Sequence, residues 1–286
     1  MTSRIEAALA AATGSAQEGA PPSFASALRY AVFPGGARVR PRICLAVATA
    51  CGDDAPELSD AMAAAIELLH CASLVHDDLP CFDDASVRRG KPTVHRVHGV
   101  PLAVLVGDAL IVLAFEWLGR GAQARPERLG GLLALLARSA GAPNGLAAGQ
   151  AWESEKAAPL DHYHRAKTGS LFTAATMGGA LAAGADPRPW ATLGERLGQA
   201  YQVADDLLDA LSEEHEAGKT TLRDTTLDRI SAVSLLGVEG ALARLRQSVA
   251  EAVEAIPVCP GAGALRGLVV QTAERLVPKA LRRSAA

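Results

Sequence analysis

Two clusters of aspartates have the residue type and spacing that most directly suggest chemistry. Their members are Asp77, Asp78, Asp83, Asp205, Asp206 and Asp209. Two carboxylates about 4 Å apart repel each other by on the order of 4 kcal/mol at an effective dielectric constant of about 20, so each cluster should bind a cation. Oxygen ligands without thiolates or paired histidines favour Mg²⁺, which commonly links a few carboxylates to substrate phosphates. The clusters therefore predict a diphosphate substrate held through metal ions.

The spacing within each cluster predicts how its carboxylates are presented. In DDLLD, Asp205 and Asp209 are four residues apart and project from one face of a helix. In DDLPCFD, Asp77 and Asp83 are six residues apart, a separation that a regular helix rotates out of alignment. Pro80 interrupts that helix, so the following turn can bring Asp83 back toward Asp77. A solvated helix end is the plain alternative for either cluster alone, and two clusters in apolar surroundings argue against it.

Basic residues follow both aspartate clusters and a glycine pair, and one more opens an apolar segment. They are Arg38, Arg40, Arg42, Arg88, Arg89, Lys167 and Lys219. Guanidinium groups bind phosphate oxygens through paired hydrogen bonds, and ammonium groups add a point charge. Any one of these residues alone is more often an ordinary surface cation. Their placement favours a site in which carboxylates and cations face one cavity.

The rest of the sequence predicts the helices that position these groups. Alanine and leucine dominate, alternating β-branched residues are absent, and proline or glycine interrupts the pattern repeatedly. Helices are predicted at residues 23–32, 41–51, 57–79, 101–120, 127–139, 144–155, 160–183, 188–211, 225–236, 238–255 and 261–281. No strand or hairpin is expected. We expect an all-α, single-domain helical bundle over residues 1–286, with about the first 20 residues forming a loosely attached N-terminal helix.

Composition and charge exclude several classes of function. The formal net charge is −3 and the basic residues are spread throughout, which predicts no nucleic-acid binding. Five cysteines without a CxxC motif fit a reduced, cytoplasmic location. The N-terminal alanine run is too weak for a signal peptide. The longest apolar region, residues 100–118, contains Asp108 and Glu116, so it predicts a buried helix and no transmembrane segment.

Seven segments, taken together, resemble a known family. They are FPGGARVRP, LLHCASLVHDDLPCFDDASVRRGKPTVH, VGDALIVLAFEWL, AGQAWE, AKTGSLF, AYQVADDLLDAL and GKTTLRD. Their order and separations are similar to those of trans-polyprenyl diphosphate synthases, especially the bacterial short-chain geranylgeranyl diphosphate synthases. The resemblance implies an all-α bundle with a deep central cavity, usually a homodimer with more than one Mg²⁺ per active site. It also implies head-to-tail condensation of isopentenyl diphosphate with an allylic diphosphate.

The resemblance assigns roles to individual residues. The implied Mg²⁺ ligands are Asp77, Asp83 and Asp205, with Asp78, Asp206 and Asp209 as further or supporting ligands. The residues implied to hold the allylic diphosphate are Arg88, Lys167 and Lys219. Those implied to hold isopentenyl diphosphate are Arg40, His70 and Arg89. Those implied to line the reacting carbons, and so to act in catalysis with the aspartates and Lys167, are Thr168, Tyr201 and Gln202.

Three positions depart from the family pattern. Ala37 stands where the family has a lysine that contacts isopentenyl diphosphate, and Arg38 or Arg42 would have to compensate for normal affinity. Arg229 replaces a lysine downstream of the second cluster, and Tyr201 replaces a phenylalanine. These departures bear on substrate affinity more than on the type of reaction.

Some conspicuous side chains have plain structural interpretations. Without the resemblance, a lone His70 in an apolar helix would be interpreted as a hydrogen-bonded core residue. His76 could orient the neighbouring carboxylate, and a capping or packing role is equally reasonable. Trp152 and Glu153 are interpreted as packing at a solvated edge.

The residues before the first cluster predict the product length. Ser73 and Ala72 lie four and five residues before Asp77, about 6 to 8 Å deeper along the same helix. Family members that stop at fifteen carbons often carry an aromatic residue at this level, and these small residues leave it open. We therefore expect a twenty-carbon product, with a deeper floor near Leu69 or residues 110–115.

Other functions compete with this interpretation. A farnesyl diphosphate synthase would share the chemistry and differ in product length. An ionising terpene cyclase would combine Asn, Ser or Thr, and Glu in its second metal motif, where this sequence has Asp205, Asp206 and Asp209. A non-catalytic subunit of a prenyl synthase commonly lacks one aspartate cluster, whereas both are intact here. The absent lysine at Ala37 keeps the subunit alternative open.

Overall fold

The protein is described by a computed structural model that covers residues 1–33, 35–155, 160–217 and 231–276. Its longer elements are helices: α1 Thr2–Gln17, α2 Pro22–Val32, α3 Val39–Ala50, α4 Pro56–Asp77, α5 Val94–His98, α6 Val100–Gly121, α7 Pro126–Ala140, α8 Leu146–Trp152, α9 Leu160–His164, α10 Ser170–Ala182, α11 Ala191–Ala217, α12 Ala232–Glu254 and α13 Ala262–Leu276. A π-helical turn, Arg165–Gly169, joins α9 to α10. The predicted all-α class is confirmed, and most predicted helix bounds agree within a few residues.

Helix α4 is the central element of the core. Met62, Ile66 and Leu69 are at most 1% exposed, and the helix packs against α3, α6 and α10. Proline is well placed in the first turn because its missing N–H would have no partner there, and α4 starts at Pro56. The helix ends at Asp77, three residues before Pro80. A long buried helix therefore delivers the first aspartate cluster to its own C-terminal end.

The expectation of a loosely attached N-terminal helix is wrong. Ile5 and Leu9 of α1 are buried in the main core. Arg4 also forms ion pairs with Asp53 at 3.2 Å and with Asp60 at 2.8 Å. An alanine-rich segment carries little hydrophobic pattern by itself, so its attachment depends on partners that only the fold brings near.

The expectation of no strand is also wrong, at one small hairpin. Strands β1 Val87–Arg88 and β2 Lys91–Pro92 pair in antiparallel fashion. Arg89 and Gly90, between them, have φ values of 54° and 77°. Two left-handed residues form the turn whose twist suits a two-residue hairpin. The turn presents Arg88 and Arg89 beside the first cluster.

Near the C-terminal end, only part of the prediction can be compared. The helix predicted at residues 225–236 lies largely outside the described residues, and its last residues open α12. Gly237, with φ of 68°, kinks α12 where the sequence predicts a break between two helices.

Two described helices are long and apolar enough to cross a membrane, judged by length and composition alone. They are Pro56–Asp77, whose apolar window is 78% buried, and the segment Val100–Ala124, whose window is 39% buried. This is weak support for a membrane span, because a buried core helix passes the same criterion. The lower burial of the second segment reflects exposed apolar residues on α6, including Val104, Leu105 and Val112.

Candidate active site

A cavity of about 740 Å³ brings together most of the residues that the sequence singles out. The charged residues that line it are Arg40, Asp77, Arg88, Arg89, Lys167 and Asp205. Its apolar lining includes Leu69, Ala72 and Ile111. Leu69 lies eight residues before Asp77 on α4, which corresponds to roughly 12 Å along the helix axis. The cavity therefore has a charged region at the end of α4 and an apolar region further down the bundle.

The turn after α4 places Asp83 beside Asp77, as predicted. The backbone N–H of Asp83 donates a hydrogen bond to the carbonyl of Asp77 at 3.0 Å. Before it, the N–H of Leu79 bonds to the carbonyl of His76 at 3.1 Å. Because Pro80 cannot continue the helix, the chain folds back within a single turn. Asp77 and Asp83 are therefore close together although they are six residues apart in the sequence.

Asp77 occupies a half-buried position next to Lys167. The Lys167 Nζ is 3.5 Å from Asp77 Oδ1. Burial raises the pKa of the Asp77 carboxyl, Lys167 partly opposes that effect, and the neighbouring Asp83 and Glu153 add to it. The pKa rises because several negative groups crowd one partly dehydrated position. A further cation near Asp77 would relieve this repulsion.

The second aspartate of the first cluster is engaged by an arginine. Asp78 is buried and accepts hydrogen bonds from Arg88 Nε at 2.9 Å and Arg88 Nη2 at 2.6 Å. Burial raises the pKa of Asp78, and Arg88 opposes the rise. This geometry favours a supporting role, in which Asp78 orients the arginine beside Asp77.

In the second cluster too, one aspartate lines the cavity and the next makes supporting hydrogen bonds. Asp205 is exposed and lines the cavity. Asp206 accepts hydrogen bonds from Gln202 Nε2 at 3.0 Å and from the backbone N–H of Ala232 at 2.7 Å. Since Ala232 is the first residue of α12, Asp206 also places a negative charge at the positive end of that helix.

A hydrogen-bonded chain links this cluster to the π-helical turn. Thr168 Oγ1 donates to Gln202 Oε1 at 2.7 Å, and Gln202 in turn donates to Asp206. Thr168 and Tyr201 both line the cavity. The three residues that the family resemblance assigns to the reacting carbons thus lie together.

Three residues predicted to bind one diphosphate also converge. His70 Nε2 lies 3.4 Å from Arg40 Nη1 and 3.3 Å from Arg89 Nη2. Burial lowers the pKa of His70 well below its usual 6.5, and the two arginines lower it further, so the ring is neutral. Arg40 is itself buried, with its guanidinium 4.7 Å from the ring centre of Phe172 and 5.3 Å from that of Tyr201.

Arg38 is not placed to compensate for Ala37, because its side chain is engaged elsewhere. Its side chain is 1% exposed, and its Nη1 donates to Glu67 at 2.7 Å while its Nε donates to Glu6 at 2.9 Å. Its Nη2 also donates to the carbonyl of Val32 at 2.9 Å. With its donors committed to α1, α2 and α4, Arg38 is a structural cation. Among the described cavity-lining residues, Arg42 is absent as well.

The small residues predicted to control product length lie on the cavity wall. Ala72 and Ser73 both line it, and Ser73 Oγ donates to the carbonyl of His70 at 2.9 Å. Leu69 and Ile111 line it too, as the predicted floor positions require. Helices α7 and α8 contribute further lining residues that no motif in the sequence marks, namely Ala140, Leu146, Ala147 and Ala151.

Two predicted site residues cannot be placed. Lys219 lies outside the described residues, and the side chain of Asp209 on α11 lies outside the described part as well. Within the described residues, no three His, Cys, Asp or Glu side chains form a ready metal cage.

Sequence reasoning missed Glu153, which is part of the site. Its side chain is 13% exposed and accepts a hydrogen bond from Lys167 Nζ at 2.7 Å, so the interpretation as a solvated edge is wrong. The available signal was its place in the AGQAWE segment. By contrast, His76 Nε2 lies 3.3 Å from the carbonyl of Val104 on α6, which agrees with the packing interpretation.

Comparisons with known proteins agree with this geometry. Residues 21–259 match the family model described as polyprenyl synthetase. A geranylgeranyl diphosphate synthase from Cereibacter sphaeroides is 56% identical over 276 residues, which is 96% of this chain and 96% of that protein. Another from Rhodobacter capsulatus is 50% identical over 275 residues, with 96% of this chain and 95% of that protein covered.

Solved structures show the same architecture. A geranyltransferase from Legionella pneumophila superposes with a TM-score of 0.80 at 27% identity, covering 96% of this chain and 94% of that chain. A geranyltransferase from Helicobacter pylori, complexed with magnesium and isoprenyl diphosphate, superposes with a TM-score of 0.75 at 32% identity. That match covers 89% of each chain.

Proposed function

The chain belongs to the polyprenyl synthetase family, and on that basis we propose that it makes geranylgeranyl diphosphate from isopentenyl diphosphate and an allylic diphosphate. The observation that carries the proposal is the convergence of Asp77 and Asp205 on one cavity that is also lined by Lys167 and three arginines. Acidic groups from two helices and basic groups between them are what a metal-bound diphosphate requires. The whole chain would act as one catalytic domain.

The donor set fits Mg²⁺. Asp77, Asp83 and Asp205 would hold the ions, with Asp209, four residues after Asp205 in the sequence, as a further ligand. Burial raises the pKa of Asp77, and the nearby Asp83 and Glu153 add to the rise; a divalent cation would offset the repulsion from these carboxylates. Mg²⁺ keeps several waters and takes few protein ligands, so a prearranged cage of three acids is not needed. When bound, it supplies positive charge to the diphosphate that leaves the allylic substrate.

The chain's own residues account for the remaining requirements. Lys167 and Arg88, with Lys219, would hold the allylic diphosphate and stabilise the negative charge that develops as the carbon–oxygen bond breaks. Arg40, His70 and Arg89 would hold isopentenyl diphosphate, with its double bond directed at the allylic cation. The apolar lining excludes water that would capture that cation. The departing diphosphate then accepts the proton lost on elimination.

The product is assigned twenty carbons because Ala72 and Ser73 leave the cavity wall open about one turn above Leu69 and about one turn below Asp77. A growing chain would pass these small residues and meet the larger Leu69 and Ile111. An aromatic side chain at position 72 would close this path at an earlier stage.

We further propose that the protein is a cytoplasmic homodimer. The exposed apolar residues of α6, Val104, Leu105 and Val112, form the surface that a second copy would cover. The five cysteines are all free thiols, which fits a reduced compartment.

The test combines purified protein, Mg²⁺, labelled isopentenyl diphosphate and each of the three short allylic diphosphates, followed by chromatography of the dephosphorylated products. We expect a twenty-carbon alcohol. A fifteen-carbon end product would instead make the protein a farnesyl diphosphate synthase, and a cyclic hydrocarbon from an allylic substrate alone would make it a terpene cyclase. No incorporation under any condition would favour a non-catalytic subunit.

A further inference from the structure

Lys167 lies in a backbone segment that is held by two close approaches. It belongs to the π-helical turn Arg165–Gly169, packed between α8 and α11. A Cβ added to Gly149 of α8 would lie 2.5 Å from the backbone nitrogen of Lys167. One added to Gly198 of α11 would lie 2.7 Å from the Cα of Gly169. Only glycine permits both contacts, so the turn that carries the Lys167 side chain is held from two sides.

The far end of the same side chain is fixed by Glu153. The Lys167 ammonium donates to Glu153 Oε1 at 2.7 Å, and it is 3.5 Å from Asp77 Oδ1. The side chains of Lys167 and Glu153 are 22% and 13% exposed. The ammonium therefore lies between a carboxylate from α4 and one that follows α8.

Glu153 is itself held by two further donors. Tyr163 on α9 donates its hydroxyl to Glu153 Oε1, and Gln150 Nε2 donates to Glu153 Oε2 at 2.7 Å. A carboxylate that merely balanced charge would not need a tyrosine and an amide to orient it. Glu155, two residues later, is exposed and carries the same charge without such contacts to the cavity.

We infer that Glu153 is the positioning residue for Lys167: it holds the ammonium beside Asp77, where the diphosphate of the allylic substrate has to lie. This inference deepens the proposed function and rests on it. Lysine has a flexible four-carbon stem and a single charged group. A freely rotating lysine would therefore lose conformational entropy each time an anion binds and orders it. A fixed carboxylate removes that cost in advance, and the glycine contacts of the turn do the same for the backbone.

The decisive measurement is a double-mutant cycle between Glu153→Gln and Lys167→Ala. Glu153→Gln keeps the size of the side chain and removes its charge. We expect it to raise KM for dimethylallyl diphosphate about tenfold, because a charge-assisted hydrogen bond that orients Lys167 is weakened. KM for isopentenyl diphosphate should change less than about twofold, since His70, Arg40 and Arg89 are untouched. In the Lys167→Ala background, Glu153→Gln should add almost nothing.

Two further variants separate positioning from general damage. Tyr163→Phe removes one of the donors that orient Glu153 and should raise the same KM about threefold. Glu155→Gln is the matched control, with the same change at an exposed site, and should leave both KM values within about twofold. Thermal unfolding of every variant shows whether it is folded.

A second readout does not depend on turnover. Calorimetric titration with inorganic pyrophosphate should show weaker binding to Glu153→Gln than to the wild type, and equal binding to Glu155→Gln. If the wild type binds pyrophosphate and Glu153→Gln binds it equally well or more tightly, Glu153 is only a competitor for the ammonium and the inference fails. Additive effects of Glu153→Gln and Lys167→Ala on KM would overturn it as well. An inactive wild type that still shows this binding difference would instead count against the proposed reaction.

Discussion

The two aspartate clusters have similar sequences and are anchored in different ways. In both, the leading residue, Asp77 or Asp205, lines the cavity, while the second residue makes structural contacts. Asp78 binds a side-chain cation, Arg88, whereas Asp206 binds an amide side chain and the N-terminus of α12. The first cluster is therefore tied to charged side chains that a diphosphate can also contact. The second cluster is tied to the helical frame. The difference suggests that the α4 side of the cavity, with Asp77 and Asp78, is an adaptable wall, and that the α11 side, with Asp205 and Asp206, is a rigid wall.

The largest expected effect concerns the feature that both clusters share, a leading aspartate that lines the cavity. We expect Asp77→Ala and Asp205→Ala each to lower kcat at least about a hundredfold, because each removes a group that supports charge on the leaving diphosphate. Steady-state turnover with saturating substrates and Mg²⁺ measures this. A near-normal rate in either variant would contradict the role of that wall.

The next effect concerns product length along the first wall. Ala72→Tyr places an aromatic ring on the α4 side of the cavity, one turn below Asp77, and should shift the main product from twenty to fifteen carbons. Product chromatography measures the shift. Ala72→Ser is the control, since it changes polarity with little change in volume and should keep the longer product. An unchanged chain length in the tyrosine variant would place the limiting position elsewhere.

The second aspartates test the difference between the walls. Asp78→Asn should lower the free energy of unfolding by about 1–2 kcal/mol, because it breaks a charge-assisted pair whose arginine is partly exposed. Asp206→Asn keeps an acceptor for the α12 N-terminus and should cost about 0.5–1 kcal/mol. Urea unfolding compares the two variants. A larger loss at position 206 than at position 78 would contradict the expected difference between the two clusters.

The smallest effect concerns pH and the half-buried His70 on α4. Since the pKa of His70 is lowered by burial and by Arg40 and Arg89, the unfolded chain binds a proton more readily than the folded one. The stability that the folded state owes to a neutral His70 is fully present above the usual pKa of 6.5, and it is lost as the pH falls toward the lowered pKa. His70→Gln should flatten this part of the stability profile. A variant that lost stability on acidification as steeply as the wild type would show that other groups dominate.

The sequence alone determined the chemistry and the class of the fold. Aspartates at fixed spacing, Pro80 after the first cluster and alanine-rich helical segments were enough to predict the turn at Asp83 and the helical bundle. These features are local, since a spacing of four residues or a proline acts within a turn or two. The charged residues that line the cavity, such as Asp77, Asp205 and Lys167, were predicted from the same patterns.

Tertiary structure decided which charged groups serve the site and which serve the core. Arg38 and Glu153 both look ambiguous in sequence, yet the first is committed to Glu6 and Glu67 and the second to Lys167. The same holds for the N-terminal helix, whose burial depends on distant residues. Partners far apart in the chain cannot be identified from spacing, because packing alone brings them within hydrogen-bonding distance.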